Sequence, residues 1–112
     1  DNAFCCCAGL KMVSLPDSLS ELGSGVFMNC SNLTEVRLPT NLKIIPFKTF
    51  RGCQELESVV IPDGVQEISD YAFENCPKLR CVELPKGIKI ANYAFDGHSP
   101  ELKITYRKPE KN

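Results

Sequence analysis

The sequence predicts an α/β solenoid in which about four to five turns of 23 residues stack around one continuous core. The first observation is that proline recurs at this interval, at Pro16, Pro39, Pro62 and Pro85. The second is that three other residue types share the interval, in the sets Leu10, Leu33, Leu56, Leu79; Phe4, Phe27, Phe50, Phe73; and Cys7, Cys30, Cys53, Cys76. A fixed period of about 20–29 residues is typical of leucine-rich solenoids.

The repeat divides the chain into four units and two partial ends. We place the boundaries at residues 1–9 (partial repeat), 10–32, 33–55, 56–78, 79–101 (one residue short, near Ile88–Ala91) and 102–112 (terminal strand and charged tail). In the terminal strand, Ile104 and Tyr106 match Val82 and Leu84 of the fourth unit. We therefore expect a single solenoid domain over residues 1–106, which begins inside a truncated or degenerate repeat.

Each unit is predicted to open with a short strand that ends at the repeated proline. In the third unit, Val59 and Ile61 alternate with Ser58 and Val60, which is the periodicity of a strand. Proline lacks an N–H and holds the preceding residue extended, so this strand stops at Pro62. The strands of successive units should stack as a short parallel sheet with a spacing of ~4.8 Å.

The rest of each unit is predicted to hold a short extended segment and a short helical turn. Val65 and Ile68 form a second inward apolar pair. Ser69 is a candidate cap for one helical turn that carries Phe73 inward. The turn should end in a left-handed residue, a conformation that Asn and Gly tolerate. These residue types precede the repeated cysteine position at Asn29, Gly52, Asn75 and Gly97.

The core of the stack is predicted to contain one aromatic and one thiol ladder. Its members are Phe27, Phe50, Phe73, Phe95, Cys30, Cys53 and Cys76. The ladder cysteines are expected to pack as small, buried hydrophobes. Stacked side chains that point the same way do not meet the geometry of a disulfide, so we expect these thiols to be reduced.

The pattern L-x-x-V-x-[LI]-P…A-F-x-x-C-x-x-L resembles the BspA-like, or Treponema pallidum-type, leucine-rich repeat, and the resemblance covers nearly the whole chain apart from the charged tail. It implies an α/β leucine-rich-repeat solenoid with a protein-binding or adhesive role, found in surface and secreted proteins of host-associated bacteria and some protists. It brings no catalytic residues with it. Departures are Val26 and Thr49 in place of the Ala before Phe, and His98 in place of the ladder cysteine.

Composition excludes several classes of function. The chain has 13 Lys and Arg against 14 Asp and Glu, so it lacks the basic excess of a nucleic-acid binder or a polybasic membrane module. No apolar run approaches the ~20 residues of a spanning helix, so no membrane insertion is expected. The single histidine, His98, and the absence of a G-x-S-x-G or phosphate-binding glycine motif argue against an enzyme. No cofactor is expected.

Cys5, Cys6 and Cys7 form the one cluster of residues in the sequence that could react or bind a metal. A soft-metal or thiol site is one interpretation, with His98 as a distant fourth ligand. That residue lies about four turns from the cluster, however, and no C-x-x-C pair exists in the chain. Oxidation-prone cysteines at a frayed end are the preferred interpretation.

The remaining candidate site is the strand face that points away from the core. Its residues are Glu35, Arg37, Glu57, Ser58, Val60, Arg80, Cys81 and Glu83. Solenoids bind through such extended rows. We therefore predict a protein-interaction module of adhesin type that is extracellular or at the cell surface, with a protein ligand such as a host surface or matrix protein. No signal peptide is visible in the chain. The alternative is a structural spacer within a longer array.

Overall fold

Eight short strands and the turns between them make up the part of the chain that the computed structural model describes, residues 4–97 and 101–106. The strands are β1 Met12–Ser14, β2 Glu35–Arg37, β3 Ile44–Ile45, β4 Ser58–Val60, β5 Glu67–Ile68, β6 Cys81–Leu84, β7 Lys89–Ile90 and β8 Lys103–Tyr106. Every pairing between them is parallel. The predicted solenoid is confirmed, because each unit adds one strand to a first stack, and the second to fourth units also add one strand to a second stack.

The first stack consists of the strands that precede the repeated prolines. β1 pairs with β2, and β4, β6 and β8 pair in that order. Between β2 and β4 the N–H of Glu57 donates to the carbonyl of Thr34 at 3.3 Å, so the two pieces form one continuous face. Ile104 and Tyr106 lie opposite Val82 and Leu84, as the sequence predicts.

The second stack, β3–β5–β7, confirms the predicted extended segments, and it begins only in the second unit. The N–H of Ser69 donates to Ile45 O, and the N–H of Ala91 donates to Ile68 O, each at 2.9 Å. Pro46 holds the equivalent position one unit earlier, and proline has no N–H to donate toward Leu22. An open depression of about 400 Å³ lies at this junction, lined by Leu22, Pro46 and their neighbours.

In place of the expected helical turns, the third side of each unit is a chain of tight turns, and no helix occurs in residues 4–97 and 101–106. The reason is visible in alternating hydrogen bonds. The N–H groups of Thr49 and Arg51 donate within their own unit, to Pro46 and Lys48, whereas that of Phe50 donates to Ala72 in the next unit. A helix would use all of these donors internally. Here half of them join neighbouring units instead.

In the turn segments of the first three units, two residues adopt the left-handed conformation. The expected position before the ladder cysteine has positive φ throughout, at Cys6, Asn29, Gly52, Asn75 and Gly97. A second position, four residues earlier, also has positive φ, at Gly25, Lys48 and Tyr71. Lys and Tyr rarely adopt this conformation, so the stack imposes it on them.

The fourth unit is short because one residue is missing between Glu83 and Lys89. Val60 pairs with Glu83, 23 residues later, whereas Glu67 pairs with Lys89, only 22 residues later. The second stack keeps its register, because the connection between Glu83 and Lys89 is one residue shorter than in the other units. Roles predicted for His98, for residues 1–3 and for the charged tail at 107–112 lie outside the described residues.

The core sits between the three sides and is layered by residue type. Phe27, Phe50 and Phe73 are at most 1% exposed, and their rings stack with centroids 5.6 and 5.2 Å apart. Phe95 stacks on Phe73 at 5.1 Å and is partly buried. Thr49, which replaces the usual alanine, is fully buried, and its hydroxyl donates to the carbonyl of Pro46 at 2.7 Å.

Candidate functional site: the outward strand face

The outward face of the first stack presents side chains in rows that run across the units. The strand register aligns one row of Met12, Glu35, Ser58, Cys81 and Lys103, and a second row of Ser14, Arg37, Val60, Glu83 and Thr105. All of these residues are exposed except Glu83, which is half-buried. A third row just before the strands holds Lys11, Thr34, Glu57 and Arg80. The structure thus brings all eight sequence-predicted face residues onto one surface.

Ion pairs between units hold the two arginines of this face. Arg37 lies 3.4 Å from Asp17, and Arg80 lies 3.5 Å from Glu57. A hydrogen bond from the backbone N–H of Thr40 lowers the pKa of Asp17, and the neighbouring guanidinium of Arg37 lowers it further. All four charged side chains are at least half exposed, so each pair contributes little to stability. Both guanidinium groups therefore remain accessible to a partner.

Apolar side chains lie among these charges. Val60 is 56% exposed and Met12 is 66% exposed. Cys81 is also exposed, next to Ser58 in the sheet register. The strand of Val60 buries its other β-branched side chains, whereas Val60 itself is exposed. Its side chain supplies apolar contact area to a partner, and no polar group of Val60 has to be desolvated on binding.

The face is shallow. One depression encloses about 560 Å³ and opens to solvent between β4, β6 and β8. Its walls are formed by Glu57, Ser58, Arg80, Cys81, Glu101 and Lys103. A second depression of about 340 Å³ lies beside it, along Pro77 and Lys78. Small-molecule sites are concave and mostly apolar, whereas these hollows are open and lined by charged groups. The geometry suits the extended surface of a macromolecule.

A second exposed surface, on the turn side, carries aromatic residues. Phe47, Tyr71 and Tyr93 form a row in which neighbouring ring centroids are 5.8 Å apart. Phe47 and Tyr93 are about half exposed, and the ammonium of Lys48 lies 4.9 Å from the centroid of the Phe47 ring. The repeated Tyr-Ala-Phe of units three and four is the sequence signal for this row.

The ladder thiols do more than fill space. Cys30, Cys53 and Cys76 are fully buried, and each thiol donates to the carbonyl of the phenylalanine 26 residues earlier, at 3.1–3.2 Å. Burial raises the pKa of Cys53 strongly and raises that of Cys76 to about 12. These thiols are thus neutral hydrogen-bond donors that link successive units. The bond crosses a unit boundary, so the sequence pattern of one unit does not reveal it.

The N-terminal cysteines differ from the ladder in both exposure and contacts. The sulfur atoms of Cys5 and Cys6 lie 3.0 Å apart, Cys6 is exposed, and Cys7 is half-buried. The hydrogen bond with Cys6 raises the pKa of Cys5. Within residues 4–97 and 101–106, no group of three or more His, Cys, Asp or Glu side chains is arranged to hold a metal ion. The metal interpretation of this cluster therefore has no geometric support there.

Comparisons with solved structures give the fold a context. The chain is similar to a leucine-rich cell surface protein from Faecalibacterium prausnitzii, with a TM-score of 0.84 and 34% identity over 89% of this chain and 27% of that one. It is also similar to the leucine-rich repeat protein of T. pallidum, with a TM-score of 0.70 and 32% identity over 80% of this chain and 42% of that one. The chain thus spans less than half the length of either structure.

A more distant likeness concerns the fold alone. A leucine-rich repeat protein from Bacteroides ovatus is 24% identical and superposes with a TM-score of 0.53 over 93% of this chain and 39% of that one. No curated protein matches the chain. Across the described residues, no helix has the length and apolarity to cross a bilayer.

A family model settles the assignment that the repeat pattern suggests. The model for the BspA type leucine-rich repeat region matches residues 1–102, in six copies. That range includes both strand stacks except β8, and all of the buried core residues. The chain belongs to the BspA-type leucine-rich repeat family.

Proposed function

We propose that this chain is a protein-interaction module that binds a partner protein across the outward strand face. The observation that carries the proposal is the register of that face, in which exposed side chains of five strands form continuous rows. Arg37 and Arg80 are accessible there, and arginine is enriched among the residues that dominate interface energetics. Val60 provides an apolar centre between them.

The family and the solved relatives support the location and type of partner that we propose. One similar structure is described as a leucine-rich cell surface protein. We therefore place this chain at the cell surface or outside the cell, with an adhesin-like role and a host surface or matrix protein as its ligand. The face mixes charges of both signs, which fits a protein surface better than a polyanion. The proposal includes no catalytic activity.

The proposal is tested with a pair of double variants. Arg37→Glu with Arg80→Glu reverses two charges of the face, whereas Lys43→Glu with Lys89→Glu reverses two exposed charges beside the second stack. Both are measured by surface plasmon resonance against a panel of purified host surface and matrix proteins. The face variant should lose at least about tenfold in affinity, equivalent to about 1.4 kcal/mol, and the control variant should bind as the parent does. An equal loss in both would place the site elsewhere.

A spacer role is the second candidate, because the chain spans only 27% and 42% of its solved relatives and a short segment of a long array can serve as a connector. It predicts no binding to any member of the panel. Binding that is lost on substitution of Tyr71 and Tyr93, but not of the arginines, would instead assign recognition to the aromatic row of the turn side.

A further inference from the structure

Two adjacent thiols at the N-terminal turn lie in direct contact. The sulfur atoms of Cys5 and Cys6 are 3.0 Å apart and share a hydrogen bond. Cys6 is exposed and Cys5 is partly exposed. A reagent from solvent can therefore reach one sulfur while the other is already within contact distance.

No other described cysteine combines exposure with a neighbouring thiol contact of this kind. Cys53 and Cys76 are fully buried and donate their protons to backbone carbonyls. Cys81 is exposed but stands alone in the outward face, with Ser58 and Lys103 as its neighbours in the sheet register. The chain thus contains its own controls: one accessible thiol without a thiol neighbour, and two thiols that are buried.

We propose that Cys5 and Cys6 form a reversible redox site that reacts with low-molecular-weight disulfides of the glutathione class. In the first step the Cys6 thiolate attacks one sulfur of the reagent, a sulfur–sulfur bond forms to Cys6, and one reagent thiol leaves. In the second step the Cys5 thiolate attacks the Cys6 sulfur and displaces the other reagent thiol. The dithiol loses two electrons and two protons, and the reagent disulfide is reduced to two thiols.

The product is a strained and easily reduced disulfide. Adjacent residues have Cα atoms ~3.8 Å apart across a trans peptide, below the ~4.4–6.8 Å of ordinary disulfides. Strained, exposed disulfides have the higher reduction potentials of labile and regulatory bonds. The site should therefore switch with the thiol–disulfide ratio of its surroundings instead of staying oxidised.

Ring closure should also loosen the first turn. The N–H of Cys6 donates to Met28 O at 2.9 Å, and the thiol of Cys30 donates to the carbonyl of Phe4 at 3.1 Å. A ring that includes the Cys5–Cys6 peptide forces this backbone to move, which breaks the first bond and weakens the second. Cys30 should then gain exposure, whereas Cys53, one unit further in, should not.

The experiment treats the full chain with oxidised glutathione at pH 8, blocks the remaining thiols with an alkylating agent, and locates every modification by tandem mass spectrometry. The matched variants are Cys5→Ser, which removes the resolving thiol, and Cys7→Ser, which leaves the pair intact. The parent and Cys7→Ser should yield an N-terminal peptide that has lost two hydrogens and carries no glutathione. Cys5→Ser should instead retain glutathione on Cys6, as Cys81 does in all three proteins.

Oxidised parent protein should further show faster alkylation of Cys30, with Cys53 unchanged, and dithiothreitol should reverse both effects. The proposal is overturned if the parent keeps glutathione on Cys5 or Cys6 without an internal bridge. It is equally overturned if the bridge includes Cys7, or if this pair reacts no faster than the buried thiols. Since none of these measurements involves a partner protein, their outcome is independent of the proposed function.

Discussion

Truncation of the central phenylalanine should remove a large part of the stability of the stack. Phe73 is fully buried, and its ring stacks on Phe50 at 5.2 Å and on Phe95 at 5.1 Å. Phe→Ala changes in a well-packed core cost about 3–5 kcal/mol, which combines the lost transfer free energy with the cavity left behind. Single domains are stable by only about 5–15 kcal/mol, so Phe73→Ala should bring the protein close to unfolding.

The matched control is the same substitution at the same repeat position in the first, partial turn. Phe4 is 47% exposed and stacks on one neighbour only, Phe27, at 5.6 Å. Phe4→Ala should therefore cost about 1 kcal/mol or less, since about half of the apolar area is already in water. The comparison isolates the effect of stacking on both faces of the ring.

The assay is urea unfolding followed by circular dichroism, because the chain has no tryptophan to report by fluorescence. With a slope of about 2 kcal/mol per M for a chain of this size, a loss of 4 kcal/mol lowers the midpoint by about 2 M. Phe4→Ala should lower it by about 0.5 M or less. Equal shifts for the two variants would refute the model of a core built by stacked units.

Three further outcomes follow from the geometry. In thermal melts, alanine at Gly52 should destabilise the protein more than alanine at Gly87, and alanine at Gly87 more than alanine at Gly9. Gly52 has φ of +75°, and a Cβ there would clash with the Asn29 side chain. Gly87 has φ of +81° in open space, and Gly9 has neither constraint. Equal melting temperatures for the three would contradict this order. In native protein at pH 8, Cys76 should alkylate far more slowly than Cys81, because the pKa of Cys76 is raised to about 12 and the thiolate is the reactive form. Labelling of Cys76 first would show that the ladder is not buried. The free energy of unfolding should fall as the pH rises above about 9, because thiols then ionise in the unfolded chain while the raised pKa of the buried thiols keeps them neutral in the fold. Cys53→Ala should make this fall less steep, and an unchanged slope would contradict this explanation.

The repeat register and the left-handed residues could be read from the sequence because each depends on residue type at one position. Pro62 ends a strand wherever it occurs, and Asn75 or Gly97 tolerates positive φ by its own chemistry. The same reasoning could not find Lys48 or Tyr71, which have no preference for that conformation. The N–H of Lys48 donates to Asp70 O in the next unit at 3.2 Å, so a contact between units holds Lys48 in that conformation.

The buried contacts between units could also not be predicted from the sequence pattern of a single unit. Cys76 donates to Phe50, a partner in the preceding unit whose carbonyl position depends on the closed turn. The helical turn expected after Ser69 fails for a related reason, because its N–H donors are shared with the next unit. The start of the second stack at β3 could have been foreseen, since Pro46 replaces residues that donate an N–H in later units.

The composition of the candidate face could be predicted because strand alternation separates inward from outward side chains. Glu57 and Arg80 pair as their spacing of one repeat suggests. The second pair could not be foreseen in the same way, because Arg37 reaches Asp17 in the turn of the preceding unit instead of a residue in its own row.

Protection of Cys81 by a bound partner is the most direct test of the claim that the outward strand face is the binding surface. Cys81 lies in that face between Ser58 and Lys103, whereas Cys6 is exposed at the N-terminal turn. Alkylation rates of both thiols are measured with and without a saturating concentration of the matrix or surface protein that binds in the panel. The account predicts that Cys81 slows by at least about tenfold while Cys6 is unchanged. An unchanged Cys81 rate in the saturated complex would contradict it.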